Sequence, residues 1–314
     1  MIKLLFFTDT HARGNSPISR LDDFPETVLK KIAYVGKLGE KLGVDGYIHG
    51  GDWLDRPDTT SNMLRRMTEI ISKFNKPIYT VIGNHDIYGY NNDTFLRTPL
   101  SIIEAAGIIT RLSKSPIIID KNGEKVSLTG IDSSFDLDKG DVSLYNNYPS
   151  EKQDFPSVHV VHGFLTKKPW PQVPCTTIDD LFKDNASPNA DVILTGHEHS
   201  GFGVVEKNNK LFCNPGSLLR ISASVGDMNK NVSVAIVSID NGNNKISIDI
   251  EQLPPDIALP SSQVLDRNKL LEEKEHASKL SSFIKDLNKI SDTQEFNIFQ
   301  ILSKYAKENN VDEK

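Results

Sequence analysis

Residues 77–86 read Pro77-Ile78-Tyr79-Thr80-Val81-Ile82-Gly83-Asn84-His85-Asp86. The first six have the length and apolar character of a buried strand. A glycine, an amide, an imidazole and a carboxylate then follow in succession. Polar groups at the end of a buried strand cost free energy unless something pairs with them. On this stretch alone two readings stand, a turn cap or a binding site. The other strand ends of the chain decide between them.

Toward the N-terminus the pattern repeats. Residues 2–8 form a continuous apolar run, as in a strand covered on both faces, and Asp9-Thr10-His11 follows at once. Asp23-Phe24-Pro25-Glu26 is an N-cap with proline in the first turn. The helix it opens places Val28, Leu29, Ile32, Val35, Leu38 and Leu42 on one stripe, and Gly43 closes it. Residues 44–49 predict a strand running into Gly50-Gly51-Asp52, and residues 60–74 predict a second helix. Strand–helix–strand–helix–strand implies a parallel arrangement. The C-terminal edge of such a sheet is where its sites lie.

Toward the C-terminus the chain becomes strand-rich. Residues 117–119 and 125–129 pair across Asn122-Gly123, a primed-turn signal. Residues 157–161 end in His162-Gly163, and 191–194 run into Thr195-Gly196-His197-Glu198-His199. Residues 202–206 and 210–213 pair across Asn208-Asn209, and 232–239 and 245–251 across an Asn/Gly turn. Strand-rich halves on both sides predict two packed sheets with helices outside, an α/β/β/α four-layer sandwich over residues 1–253. The Pro/Ser stretch 254–264 reads as a linker. Helical stripes beyond it predict a two-helix appendage over 265–314, too small to be stable alone.

Composition narrows the class. The chain has 314 residues, 38% hydrophobic and 25% charged, as for a soluble globular protein. A net charge of -6 advertises no global nucleic-acid field, though a local basic patch would suffice for binding. Cys175 and Cys213, the only cysteines, imply no disulfide framework and suit a reducing cytoplasm. No signal segment and no membrane span is expected.

Five strand ends therefore carry ligand types suited to hard and borderline divalent cations: Asp9/His11, Asp52, Asn84/His85, His162 and His197/His199. On extended backbone, Asp9 and His11 would point to the same side, as would His197 and His199. Asp52 could bridge two ions with its two oxygens. Two cations about 3.5–4 Å apart would share a hydroxide and clamp the attacking and leaving oxygens of a phosphoryl displacement. No Gly-x-Ser-x-Gly, Walker loop or Gly-x-Gly-x-x-Gly competes.

Asp9-x-His11, Gly51-Asp52-x-x-Asp55, Gly83-Asn84-His85-Asp86, His162-Gly163 and Gly196-His197-x-His199 resemble the five signature blocks of the calcineurin-like metallophosphoesterases. The resemblance implies one metal held by Asp9, His11, Asp52 and His199, and a second by Asp52, Asn84, His162 and His197. It implies His85 as the group that stabilises or protonates the leaving oxygen, oriented by Asp86. Manganese is the implied ion, with iron or zinc as variants. Asp52-Trp53-Leu54-Asp55-Arg56-Pro57, residues 15–23 and Arg97-Thr98-Pro99-Leu100 further resemble the SbcD-type DNA repair nucleases, in their phage-encoded branch. Pro57 and Asp86 depart from the protein phosphatases.

The resulting expectation is a two-metal phosphodiesterase acting on DNA as a nuclease. Arg13, Arg20, Arg56 and Arg97 lie near the blocks and are candidates for phosphate contact. Tyr88 and Tyr90, which follow His85-Asp86, either stack on a base or pack. Lys167, Lys168 and Trp170 form either an exposed loop or a backbone and base contact. The C-terminal helices either engage an SbcC-type ATPase or pad the sandwich, and a homodimer is the other protein partner considered. The rival reading is a phosphodiesterase or phosphatase for a small molecule such as a cyclic nucleotide. A non-catalytic scaffold is the remote third.

Overall fold

A computed structural model describes residues 1–266 apart from 152, 172, 222, 223 and 244, and only 268, 275, 278, 279, 281 and 282 beyond them. The chain divides into two units, Met1–Leu265 and Asp266–Lys314. Of the two expected C-terminal helices, only those six positions of the first are described, all helical, and the second lies outside the described residues. Among the described residues no helix is long and apolar enough to cross a membrane.

The first unit is built on two six-stranded sheets. In the first, β1 (Ile2–Phe7), β2 (Gly46–His49), β3 (Ile78–Thr80) and β4 (Thr110–Arg111) run parallel. The second holds β5 (Ile117–Lys121), β6 (Glu124–Ile131), β7 (Ser157–Val161), β10 (Val192–Thr195), β11 (Gly203–Lys207) and β12 (Lys210–Asn214). Of these β6, β7, β10 and β12 are parallel. Short strands β8 (Leu165–Thr166) and β9 (Thr176–Thr177) pair separately. The hairpin of β13 (Ser233–Asp240) and β14 (Lys245–Gln252) adds antiparallel to β1.

The residues between the sheets explain the apolar runs. Leu4, Phe6, Ile48 and Val81 of one sheet meet Val126, Leu128, Val158, Val160, Val192 and Leu194 of the other. The opposite face of the first sheet, including Leu5 and Phe7, is covered by α1 (Phe24–Leu42) and α2 (Ser61–Ile71). Asp23 caps α1 by accepting from the Glu26 N–H, and Gly43 ends it in the left-handed region. Asn122 and Gly123 both take positive φ, as do Asn208 and Asn209, so both hairpins turn in the primed manner. On the outer face of the second sheet the cover is short, a helix at Ser143–Asn146 and a 3-10 segment at Asp180–Asn185.

Residues 254–264, read as a linker, are packed on this unit. Val264 and Leu265 are buried, and the Leu21 N–H donates to the Val264 carbonyl at 3.1 Å. The Arg220 guanidinium reaches the Leu259 carbonyl at 2.8 Å. Apolar side chains hidden among prolines are what the linker reading lacked.

Candidate metal centre

The parallel strands of both sheets end at one edge, and there the polar residues gather. Asp9, His11, Asp52 and His199 bring ligand atoms within 4.8 Å of one another, and so do Asp52, His162 and His197. His11 Nε2 lies 3.1 Å from His199 Nε2 and 3.5 Å from Asp52 Oδ2. On the other side His162 Nε2 lies 3.3 Å from Asp52 Oδ2 and 3.2 Å from Asn84 Oδ1. All seven candidate ligands are thus brought together, with Asp52 common to both groups.

Main-chain geometry, not strand alternation, makes them converge. Asp9, His11, Asp52 and His197 all have positive φ, between 39° and 74°. Such backbone costs a non-glycine residue about 1–3 kcal/mol and clusters at functional sites. The extended-segment reason for Asp9 with His11, and for His197 with His199, therefore does not hold. A left-handed residue turns the chain so that both side chains enter the same space. The loops are tied together to hold this turn: Asp9 N–H to Gly51 O at 3.1 Å, and His197 N–H to the Asp9 carboxylate at 3.2 Å.

Asp52 also differs from its expected use. Its Oδ1 accepts the His85 N–H at 2.8 Å. Its Oδ2 is buried, has no hydrogen-bond partner and faces both His11 and His162. One oxygen, rather than two, faces both groups. Gly83 makes this possible: a Cβ there would fall 2.0 Å from Asp52 Oδ1.

The electrostatics fit cations at the two carboxylates and at His11 and His197, while His162 and His199, both shifted upward, must give up a proton to bind one. Burial alone would raise the Asp52 pKa, but His162 and His11 more than reverse it and hold the carboxylate ionised. Asp9 is likewise held well below the usual range, against burial, by His11 and His199. Burial lowers His11 and takes His197 down to about 4, so both keep a free lone pair. Burial opposes charge on His162 too, yet Asp52 lifts it to about 10. Its Nδ1 donates to the Gly50 carbonyl at 2.7 Å, which leaves Nε2 toward Asp52. An orphaned carboxylate oxygen among imidazole nitrogens is a donor set that suits borderline divalent ions.

His85 is beside this set. Its Nδ1 donates to the Asp55 carbonyl at 2.8 Å, and its ring meets the His11 ring edge-on at 4.7 Å. Asp86 does not orient it. The Asp86 carboxylate is buried and accepts from the N–H groups of Trp53 (3.3 Å), Leu54 (2.9 Å) and Gly83 (3.0 Å). It clamps the Asp52 loop to the Asn84 loop. Burial and the neighbouring Asp52 push its pKa up to about 7.

Other candidates separate. Arg20 is buried, bidentate to Asp22 at 2.8 and 2.7 Å, and donates to the Arg220 carbonyl at 2.6 Å. Its guanidinium is committed inside the fold, so it is not a phosphate contact. Arg56 pairs with Asp58 at 3.0 Å on the surface. Arg13 pairs with Asp55 at 3.1 Å, close to His11. Arg97 and Tyr88 are exposed. Lys167, Lys168 and Trp170 line an open groove of about 560 Å³ with Glu198 and Ser200. His49 is buried and stacks on Trp53 at 3.7 Å, and His159 is buried between Thr129 and the Leu144 carbonyl. The turn at Asn214–Ser217 lies under His199: the Ser217 N–H donates to the His199 carbonyl at 3.0 Å, and so does the buried Lys230 ammonium at 3.2 Å. Asp138, unremarked in the sequence, accepts from Tyr145 Oη, Thr176 Oγ1 and the Phe164 N–H, each at 2.7 Å. It supports the loop after His162.

Two packed sheets with a shared-carboxylate cluster at their common edge define a metallophosphoesterase. The profile of the calcineurin-like phosphoesterase family matches residues 2–201, and the chain belongs to that family. Among solved structures, it is similar to the calcineurin-like phosphoesterase YfkN from Bacillus subtilis, at 15% identity and TM-score 0.49 over 88% of this chain and 97% of the other. It is also similar to a dimetal phosphatase from Danio rerio, at 9% identity and TM-score 0.48 over 79% and 98%. A search of curated proteins returns no match.

Proposed function

We propose that the chain is a two-metal phosphodiesterase whose substrate is DNA, a nuclease of the SbcD type. The observation that carries the reaction is Asp52 Oδ2, buried without a hydrogen-bond partner between two sets of ligand atoms. One cation would be held by Asp9, His11, Asp52 and His199, and the other by Asp52, Asn84, His162 and His197. Bound there, two cations supply Lewis acidity and lower the pKa of water. Manganese is the ion we propose.

The protein's own groups do the rest. His85 is fixed through Nδ1, so its Nε2 is the atom left to meet the substrate. In its charged form Nε2 donates to the departing oxygen, and such proton transfer is worth about 10²–10⁴-fold in rate. Asp52 Oδ1 holds the His85 main chain, which ties the position of the ring to the carboxylate shared by both ligand groups.

Support for a polynucleotide comes from the surroundings. Exposed Lys167, Lys168 and Trp170 line the groove beside Glu198 and Ser200. Cations along a backbone and an aromatic for stacking are the usual means of holding single strands. A manganese-dependent digestion panel of single-stranded, blunt and hairpin DNA, beside bis-p-nitrophenyl phosphate and cyclic nucleotides, tests the reading. Cleavage of DNA supports it. Turnover of the small substrates alone would sink the nuclease and leave the phosphodiesterase.

A further inference from the structure

A cavity of about 390 Å³ opens directly onto the second ligand group, with His162 and His197 among its lining residues. Its walls carry Tyr90, Phe135 and Phe164. Phe135 is 69% exposed and Tyr90 55% exposed, so both rings present apolar surface beside the second ligand group. Phe164 is held edge-on to His197 at 5.4 Å. The Lys139 ammonium, itself on the cavity lining, sits over the Phe135 ring, 3.0 Å from its centre. The wall is braced: Asp138, three residues after Phe135, accepts from Tyr145, Thr176 and the Phe164 N–H.

We propose that this cavity is a nucleobase slot. It takes the base of the nucleotide whose phosphate lies at the His162 and His197 side of the metal centre. The inference rests on the phosphodiesterase reading and extends it to a nucleotide as the recognised unit. Two exposed rings can stack a base, since every base presents a π-face, and the contact tolerates sequence. A phosphate that reaches His162 and His197 has its sugar and base at the mouth of this cavity. The groove of Lys167 and Trp170 is a separate opening and would serve the flanking strand.

Calorimetric binding to the manganese-loaded protein compares thymidine 5′-monophosphate with methyl phosphate. The slot predicts that the nucleotide binds tighter by roughly 5–150-fold, the range that stacking of one base supplies. Phe135→Ala and Tyr90→Ala each bring that ratio toward one. Both side chains are exposed, so the fold survives their loss, and unchanged melting temperatures check this. Equal affinities in the native chain, no nucleotide binding, or a ratio that survives both substitutions overturns the slot. Hydrolysis of bis-p-nitrophenyl phosphate is followed in parallel. A chain that cleaves it without preferring the nucleotide loses the slot alone. A chain that prefers the nucleotide but cleaves no diester keeps the slot and loses the reaction.

Discussion

The His85 ring is held by the main chain of Asp55, with Nδ1 donating to that carbonyl across 2.8 Å. A carbonyl only accepts, so the neutral ring carries its proton on Nδ1 and keeps the lone pair on Nε2. His85→Asn should therefore lower kcat by about 10²–10⁴-fold. Manganese content should not change, because the variant leaves all seven ligands in place. Steady-state kinetics with elemental analysis checks both halves.

Asp86 is a structural clamp. Its carboxylate accepts three backbone N–H groups from two loops. Asp86→Ala strands those donors in a buried place, at about 1–3 kcal/mol for each unsatisfied group before relaxation. Denaturant unfolding should show a loss of several kcal/mol. A variant of native stability with a shifted pH–rate profile would instead return Asp86 to the proton chemistry.

Arg20 shows how a motif-like position can mislead. It sits in a polar loop near the first block, yet its guanidinium pairs with Asp22 and spans 200 residues of sequence to the Arg220 carbonyl. Arg20→Ala should cost about 2–4 kcal/mol of stability, as for a broken buried pair partly relieved by solvent at Asp22. KM for bis-p-nitrophenyl phosphate measured below the melting transition should stay at the native value.

His159 gives a pH dependence outside the metal centre. Burial depresses its pKa to about 4, and its Nε2 donates to the Leu144 carbonyl. The unfolded ring titrates near ~6.5, so between those values the unfolded chain binds a proton that the folded chain refuses. The sign follows: this contribution to stability is complete above pH 6.5 and declines as pH falls toward 4. The difference at pH 5 is roughly 2 kcal/mol. His159→Gln should flatten this part of the stability curve relative to the native chain, as read by melting temperatures from pH 7 to 4.5.

The sandwich was legible because its strands are mostly apolar runs that end at Asp9, Asp52, Gly83, His162 and Gly196. Those ends also disclosed the candidate ligands. Their mutual geometry was hidden, since Asp and His tolerate positive φ but do not require it, and nothing in the sequence singled out Asp9, His11, Asp52 and His197 for it. The partner of Asp86 was hidden for another reason: backbone N–H groups from residues 53 and 54 carry no side-chain signal. Phe135, in the polar loop Ser133-Ser134-Phe135-Asp136, had only its aromatic character to distinguish it.

Gly83→Ala would test the tight packing behind Asp52. The added carbon would meet Asp52 Oδ1 at 2.0 Å and its amide nitrogen at 2.3 Å. The carboxylate must move, and manganese affinity should fall by about 10–100-fold, the cost of disturbing the groups that orient a ligand.

The central claim is one carboxylate serving two cations. Its most direct test is the number of manganese ions per chain after dialysis, measured by elemental analysis for the native protein, Asp52→Asn, His199→Ala and His162→Ala. Two ions are expected in the native chain, one in each histidine variant, and loss from both positions in Asp52→Asn. A native chain that holds no ion, or an Asp52→Asn variant that keeps both, would contradict it.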